Sequence, residues 1–266
     1  MSANSVVTPA VIVGGGRVGN ALAQMGTNDL VVKRGEPIPA DGEGPIFVCT
    51  RNDSLAGIVE ACPENRREDL VFLQNGMLQP WLDTQGLGDN TQALIYFAVA
   101  KFGEAPTDGK TDLNPEGLTA AYGKWADALA QRLHAGGLSC KVLDQTAFTQ
   151  SMLEKLIWIC AFMLVGVRHT CTVGEAESAH KAEVAQLIGE MTSGLTKVQA
   201  VQFDDKDVVV ERLCAYARSV AHFPTAVKEF EWRNGFFYTI SQGELAAGKA
   251  DPFPTHTAWL KEVGAI

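Results

Sequence analysis

Three glycines near the start of the chain constrain its fold more than any other feature. A short apolar run at residues 10–13 leads into Gly14, Gly16 and Gly19, spaced as G-x-G-x-x-G, and a helix-like segment follows. In a strand–turn–helix unit the first glycine permits a tight turn, the second lets backbone approach a pyrophosphate, and the third lets the helix pack on the strand. The pattern therefore predicts a dinucleotide site rather than an ordinary glycine-rich turn. Its expected lining residues are Gly14, Gly15, Gly16, Arg17, Val18 and Gly19.

The end of the second apolar run indicates which dinucleotide binds. Residues 30–32 lead into Lys33 and Arg34, and Arg34 lies about 20 positions after the first glycine, where NAD sites place a carboxylate. Two cations suit a 2′-phosphate, because charge-assisted contacts contribute about 1.5–3 kcal/mol. We therefore predict NADP(H), with NADPH bound more than about tenfold tighter than NADH. The alternative is that both side chains are solvated surface charges.

Composition excludes several function classes. The formal net charge of −9 argues against a general nucleic-acid binder. Six cysteines are scattered without C-x-x-C spacing, so we interpret them as reduced core residues rather than a metal site. No signal peptide is recognisable, and the longest apolar run, residues 156–167, is too short to span a bilayer. The sequence thus predicts a cytoplasmic protein with no metal, nucleic-acid partner or membrane segment.

The order of apolar runs predicts two domains. Strand-like runs lie at residues 10–13, 30–32, 45–50, 70–73, 93–100, 118–122 and 139–143, with a helix at 125–133. Helix-like segments follow at residues 150–167, 176–200, 208–221, 225–230 and 255–263. We expect an α/β Rossmann-type nucleotide-binding domain over residues 1–146 and a smaller all-α domain over residues 147–266, with a substrate cleft between them. The short interval after Arg34 predicts a trimmed sheet, and Asn52 or Asp53 is expected to cap a helix.

The order of these motifs resembles the ketopantoate reductase family, whose members join a Rossmann domain to a helical domain like that of 6-phosphogluconate dehydrogenase. Thr50 and Arg51 fall where the family has a basic residue near the cofactor phosphates. Gln74-Asn75-Gly76-Met77 is similar to the family's Asn-Gly turn at the active-site edge of the sheet. Residues 154–156 resemble its catalytic lysine segment, and residues 171–175 and 224–243 resemble later segments in the same order.

The resemblance implies a role for each site residue. Lys155 takes the place of the general acid that protonates a carbonyl oxygen while NADPH delivers hydride to the carbonyl carbon, and Asn75 contacts cofactor and substrate. The family's two asparagines, one and two helical turns after the lysine, correspond to Ile159 and Met163. Its late serine corresponds to Thr225 and its late glutamate to Phe237. The resemblance also implies a homodimer, with the helical domain carrying substrate binding and dimerisation.

The loss of three polar contacts leads to two hypotheses. Ile159, Met163 and Phe237 would form an apolar wall that desolvates Lys155 and lowers its pKa, which suits proton donation near neutral pH. We therefore favour an NADPH-dependent reductase whose substrate is a small carbonyl compound or imine less polar than ketopantoate. We expect little or no reduction of ketopantoate itself. The alternative is a catalytically inactive NADP-binding sensor or scaffold, in which Lys155 extends to water, Asn75 is a turn residue and Thr225 is a helix cap.

Overall fold

The computed structural model of the protein describes residues 7–266, so the first six residues of the predicted nucleotide-binding domain lie outside the described part. The chain divides into two compact units. Of the described residues, the first unit comprises residues 7–110 and Asn114–Phe148, and the second comprises Thr111–Leu113 and Thr149–Ile266. The expected boundary lies between residues 146 and 147, and the separate roles expected of the two domains remain predictions.

A mostly parallel sheet with helices forms the first unit, as the sequence predicts. Its strands are β1 (Val11–Val13), β2 (Leu30–Val32), β3 (Ile46–Val48), β4 (Leu70–Phe72), β5 (Thr91–Leu94), β6 (Ala120–Tyr122) and β7 (Lys141–Val142). Its helices are α1 (Arg17–Gln24), α2 (Leu55–Ala61), α3 (Gln79–Thr84) and α4 (Ala126–Ala135). The strand order is β2-β1-β3-β4-β5-β6-β7, and all neighbours are parallel except β5 and β6.

Burial explains why such short apolar runs form the centre of the sheet. β3 and β4 are buried at every position, as expected of parallel strands covered on both faces. Ile12 and Val13 of β1 are also buried, whereas Leu30 of the edge strand β2 is exposed. Within the described residues no strand lies beyond β2, so the prediction of a trimmed sheet is confirmed.

A buried ion pair holds the far end of α1. Arg132 of α4 is fully buried, and its two Nη atoms donate to the Asp29 carboxylate at 2.5 and 2.8 Å. The same guanidinium donates to the carbonyl oxygens of Leu22 and Thr8, each at 2.8 Å. Because a buried charge is costly unless it is paired and hydrogen-bonded, this network ties the end of α1 to the start of β2.

The second unit is helical, which confirms the second half of the expected fold class. Its helices are α5 (Gln145–His169, which begins in the first unit), α6 (Val173–Ala179), α7 (Lys181–Gln199), α8 (Lys206–Ser219), α9 (Asn234–Ala246) and α10 (Pro254–Glu262). A 3₁₀ turn at Phe230–Trp232 precedes α9.

Two helix predictions for this unit are wrong. Residues 176–200 form α6 and α7 rather than one helix, and the break falls at His180. Apolar residues recur on both sides of the break, so periodicity does not reveal it. Residues 225–230 form no α-helix, and the helix of this region is α9 instead. The glycines and aromatic residues of α9 have low helix propensity, so tertiary packing, such as Phe237 against Phe253, stabilises it.

Helix α5 is, in the described part of the chain, the one helix long and apolar enough to cross a membrane. The apolar run at residues 156–167 understates its length, because the helix extends over 25 residues. In its most apolar stretch 78% of the residues are buried inside the protein. This burial is that of a core helix, and no membrane span is indicated.

Candidate functional site

The glycine-rich turn joins β1 to α1 by close backbone contact. Gly14 has a φ of +105°, and a Cβ there would lie 2.9 Å from the Cys49 carbonyl oxygen. A Cβ at Gly19 would lie 1.9 Å from the Gly14 carbonyl oxygen, so α1 packs this closely only with glycine there. Gly16 is the N-cap of α1, has open space at its Cβ position and makes no side-chain cap. The first N–H groups of α1 are therefore available to an anionic ligand.

A cavity of about 1060 Å³ opens at this turn. It lies at the carboxyl ends of β1, β2 and β3, and β1 has one of the other two strands on each side. This is the switch point of the sheet, where open α/β sheets bind their ligands. Its volume is at the upper end of small-molecule sites, which are about 300–1000 Å³. Val18, Ile38 and Ile58 give the cavity an apolar part as well.

The predicted cations gather at the rim of this cavity. Lys33 and Arg34 at the end of β2 both line it and are exposed. Arg51 lines it too, and its guanidinium forms an exposed ion pair with Asp53 at 2.8 Å. Such exposed pairs contribute about 0–1 kcal/mol and exchange readily for another anion.

A carboxylate at the same rim was missed by the sequence reasoning. The prediction of NADP(H) assumes that no acidic side chain follows β2, yet Glu36 lines the cavity and its Oε2 accepts a hydrogen bond from the Lys33 backbone N–H at 2.7 Å. Gly35, with a φ of +87°, turns the chain so that Glu36 returns to the strand end. A glycine between Arg34 and an acidic residue was the available signal, because glycine readily makes such a turn. That assumption is therefore wrong.

The Arg17 side chain anchors a neighbouring segment. Its Nη1 donates to the carbonyl oxygens of Val99 at 3.1 Å and Ala100 at 2.9 Å, beyond the end of β5. Arg17 also lines the cavity, at the first position of α1. The guanidinium is thus partly committed to backbone carbonyls, and the expected cofactor contact of this residue remains a prediction.

Thr50 makes the cavity suitable for a dinucleotide. Its hydroxyl oxygen is buried and has no hydrogen-bond partner within residues 7–266, and the residue lines the cavity. An unpaired buried polar group costs about 1–3 kcal/mol, which a ligand with a polar atom at this place would offset. The side-chain-free turn at Gly14 and Gly16 leaves room for a diphosphate beside it. The residues present therefore fit a dinucleotide cofactor.

The Asn-Gly turn after β4 is fastened to the end of β3. Gln74 Nε2 donates to the carbonyl oxygens of Val48 at 2.8 Å and Thr50 at 3.0 Å. Gly76 has a φ of +109°, as a tight turn requires. The Asn75 side chain is exposed at this edge of the sheet, and its contact with cofactor and substrate remains a prediction.

Asn52 and Asp53 do not cap a helix. The 3₁₀ turn at Asn52–Ser54 and the helix α2 after it both lack a side-chain cap. Asn52 is buried, and its Nδ2 donates to the Asn75 carbonyl oxygen at 3.1 Å, so it supports the Asn-Gly turn instead.

Lys155 lies in α5 of the second unit, and only 5% of the residue is exposed. Burial, with a smaller contribution from the Arg233 guanidinium, lowers the pKa of Lys155 to about 7. The neighbouring Glu154 carboxylate is bound by Arg212 at 2.7 and 3.0 Å and is therefore committed to another cation. A lysine whose pKa lies near neutrality can hold and release a proton at working pH. Arg233 carried no recognisable signal in the sequence.

The fold matches solved structures at low sequence identity. D-mandelate dehydrogenase, in a ternary structure with NADH and anilino(oxo)acetate, has a TM-score of 0.68 at 13% identity, over 97% of this chain and 97% of that chain. A PanE/ApbA family ketopantoate reductase from Ralstonia eutropha JMP134 has a TM-score of 0.67 at 16% identity, over 97% and 98%. A dimeric ketopantoate reductase from Staphylococcus aureus has a TM-score of 0.64 at 14% identity, over 96% and 98%.

The protein has the fold of the ketopantoate reductases. This confirms the fold that the resemblance implied. No protein-family model matches the sequence, and no curated protein matches it at a significant level.

Ile159 and Met163, two of the substrate positions that the resemblance implies, lie in α5 together with Lys155. Ile159 is buried and Met163 is half-buried, and α5 continues unbroken through both. Residues at i, i+4 and i+8 lie along one face of a helix, so both apolar side chains follow Lys155 on its own face. Their contact with a substrate remains a prediction.

The other two implied positions serve the packing of the second unit. Thr225 Oγ1 donates to the Cys171 carbonyl oxygen at 2.6 Å, and a Cβ at Gly166 of α5 would lie 2.2 Å from its methyl carbon. Thr225 therefore neither caps a helix nor presents its hydroxyl proton to a substrate. Phe237 is fully buried, with its ring centroid 5.2 Å from that of Phe253. Phe237 thus packs in the core of this unit, and its contact with a substrate remains a prediction.

The segment 171–175 builds a helix start. The Thr172 hydroxyl accepts from the Glu175 N–H at 3.3 Å, and the Glu175 carboxylate accepts from the Thr172 N–H at 2.8 Å. This reciprocal pair is a capping box for α6. In this chain the segment therefore serves to start a helix.

A cluster of side chains with metal-ligand chemistry lies elsewhere in the second unit. His169, His180 and Glu183 bring one ligand atom each within 4.8 Å of one another. The two rings stack with centroids 3.6 Å apart and planes at 10°, so their in-plane lone pairs run side by side instead of converging. Glu183 pairs with both Arg168 and His169. This arrangement suits a ring stack with an ion pair better than it suits a metal ion.

Proposed function

We propose that the protein is a NAD(P)H-dependent oxidoreductase that reduces a C=O or C=N group of a small molecule. One observation carries the proposal: a dinucleotide-sized cavity at the Gly14–Gly19 turn, in a chain with the ketopantoate reductase fold. The similar D-mandelate dehydrogenase, which holds NADH in its structure, supports it. A homodimer remains a prediction, and the similar Staphylococcus aureus reductase is described as dimeric.

Different residues of the cavity would bind different parts of the cofactor. The N–H groups at the start of α1 have no side-chain cap and border the cavity, so they would hold the diphosphate. Lys33 and Arg34 supply positive charge for a 2′-phosphate, which favours NADPH, and Arg51 adds a third cation nearby. Ile38 and Ile58 offer the apolar surface that a base requires.

Lys155 is the proposed proton donor. When bound, the nicotinamide supplies a hydride to the substrate carbon. Lys155 Nζ holds the proton that the developing alkoxide or amine takes up, and solvent then returns a proton to the lysine. Because burial lowers the pKa of Lys155 to about 7, the ammonium gives up this proton more easily than an exposed lysine does. Ile159 and Met163 on the same face favour a substrate less polar than a keto acid with hydroxyl groups.

Two measurements test the proposal in order. Fluorescence titration with NADPH and NADH establishes whether the cavity binds them. Oxidation of the reduced cofactor is then followed with a panel of ketones, 2-oxo acids and cyclic imines, and ketopantoate is expected to give no turnover. Failure of both cofactors to bind would refute the proposal. Binding without turnover on a broad panel would favour the inactive sensor or scaffold.

A further inference from the structure

The four residues that follow β2 form a turn that is locked at both ends. The Glu36 backbone N–H donates to the Lys33 carbonyl oxygen at 3.0 Å, which closes a β-turn. Gly35 at its third position has a φ of +87°, as in a type II turn. In return the Lys33 backbone N–H donates to Glu36 Oε2 at 2.7 Å. The carboxylate is therefore held at the strand end by the turn itself.

This turn presents opposite charges to the same part of the cavity. Lys33, Arg34 and Glu36 all line it at the carboxyl end of β2. The other oxygen of the carboxylate, Oε1, makes no hydrogen bond within the described residues, so it can accept one from a ligand hydroxyl. A fixed carboxylate attracts a hydroxyl and repels a phosphate, whereas the two cations attract the phosphate.

We propose that Glu36 sets the ribose selectivity of the cofactor cavity by favouring a 2′-hydroxyl against the 2′-phosphate that Lys33 and Arg34 attract. This inference rests on the proposed function, because it concerns the cofactor of that same site. The consequence is a cavity that accepts both NADH and NADPH and separates them by less than about tenfold. The preference for NADPH predicted from the sequence counted only the two cations, so the preference expected here is smaller.

Glu36 differs from the other carboxylates of this region because it both lines the cavity and keeps one oxygen for a ligand. Asp53 also lines the cavity, but the Arg51 guanidinium contacts its Oδ2 and the Ser54 hydroxyl donates to its Oδ1. Glu43 is exposed on the following loop and does not line the cavity. Within residues 7–266 the Glu36 carboxylate accepts from a neutral N–H alone, and this contact orients the carboxylate without cancelling its charge.

The test measures dissociation constants of NADPH and NADH for the wild type, Glu36→Gln and Glu43→Gln at low ionic strength. The amide introduced by Glu36→Gln retains an oxygen that accepts from the Lys33 N–H, so the turn is kept while the charge is removed. We expect Glu36→Gln to bind NADPH about tenfold tighter and NADH no tighter, so that the ratio shifts about tenfold or more. Glu43→Gln makes the same change in net charge and is expected to leave the ratio unchanged.

The fragments 2′,5′-ADP and 5′-AMP, measured by calorimetry, localise the effect to the ribose phosphate and are expected to show the same shift. An unchanged ratio in Glu36→Gln, or an equal shift in Glu43→Gln, overturns the inference and leaves the proposed function standing. A wild type that already prefers NADPH by far more than tenfold also overturns it. If the wild type binds neither cofactor, the proposed function fails and the inference fails with it.

Discussion

The cavity of the first unit is shaped mainly by backbone, whereas Lys155 in the second unit is surrounded by packed side chains. The cavity is shaped by backbone, since Gly14 and Gly19 admit no side chain and the charges stand exposed at its rim. The surroundings of Lys155 are made of packed side chains, and its amine is buried. Charges at an exposed rim are screened by water, so they adjust binding modestly. A buried charge changes its own protonation instead, so the two regions respond to their charges in different ways.

The largest expected effect belongs to the Lys155 side of the comparison. Lys155→Met keeps most of the side-chain volume and removes the proton, so turnover on any substrate found should fall about 10²–10⁴-fold. The dissociation constant of NADPH should stay the same, because the cofactor cavity is built wholly from the first unit. Steady-state kinetics with a parallel cofactor titration measure both. Lys197→Met, at an exposed position of α7, is the control and should leave both unchanged. Full activity in Lys155→Met would remove the lysine from the mechanism.

A single added methyl group at Gly19 should disrupt the backbone turn of the cavity. In Gly19→Ala the new Cβ would lie 1.9 Å from the Gly14 carbonyl oxygen, so the glycine turn must move. Cofactor affinity should fall about a hundredfold, equivalent to about 2.7 kcal/mol. Titration by calorimetry measures it. Gly243→Ala in α9, where a Cβ meets nothing within 4 Å, is the matched control and should bind normally. Equal affinity in Gly19→Ala contradicts a close approach at this turn.

The buried amine also predicts how stability depends on pH. Burial lowers the pKa of Lys155 to about 7 in the folded chain, whereas the unfolded chain keeps the ordinary higher value. Between these values the unfolded state binds the extra proton, so the contribution of Lys155 to the free energy of unfolding increases as pH rises above 7. The gain is about 2 kcal/mol between pH 7 and 9. Urea unfolding of the wild type and Lys155→Met at each pH isolates it, and a constant difference between the two proteins would show a solvated lysine.

How far the sequence predicts each region follows from the same contrast. The glycine turn and the strand runs were predictable because glycine spacing and apolar runs report backbone conformation directly. Helix α9 was not, because its glycines and aromatic residues favour other conformations until Phe237 packs on Phe253. The gathering of Lys33 and Arg34 in one cavity followed from their place after a strand.

Other parts of the candidate site depend on contacts that no short pattern reports. Glu36 reaches the cavity only through the turn at Gly35, and Arg233 acts on Lys155 only through tertiary folding. Thr225 and Phe237 were placed by alignment with a family pattern, which does not report whether a hydroxyl is already bonded or a ring already buried.

The smallest expected effect concerns the buried hydroxyl of the cavity. Thr50→Val has a similar shape but no polar atom to leave unpaired, so the protein without cofactor should gain about 1 kcal/mol in its free energy of unfolding. Cofactor binding should weaken by about fivefold, since the ligand loses one hydrogen bond. Thermal unfolding with and without NADPH measures both. Loss of stability without cofactor would mean that the hydroxyl already has a partner.

The ion pair between Arg132 and Asp29 limits how this chain can diverge. Each partner is held by the other at 2.5 and 2.8 Å, and the arginine is fully buried. Replacing one partner strands a charge in the interior at a cost of about 3–5 kcal/mol, whereas replacing both by apolar residues of similar volume is close to neutral. A lineage that moves from the charged pair to an apolar pair must therefore pass through a poorly folding ancestor or change both residues together. The two positions should vary jointly among descendants, although 103 residues separate them in the chain.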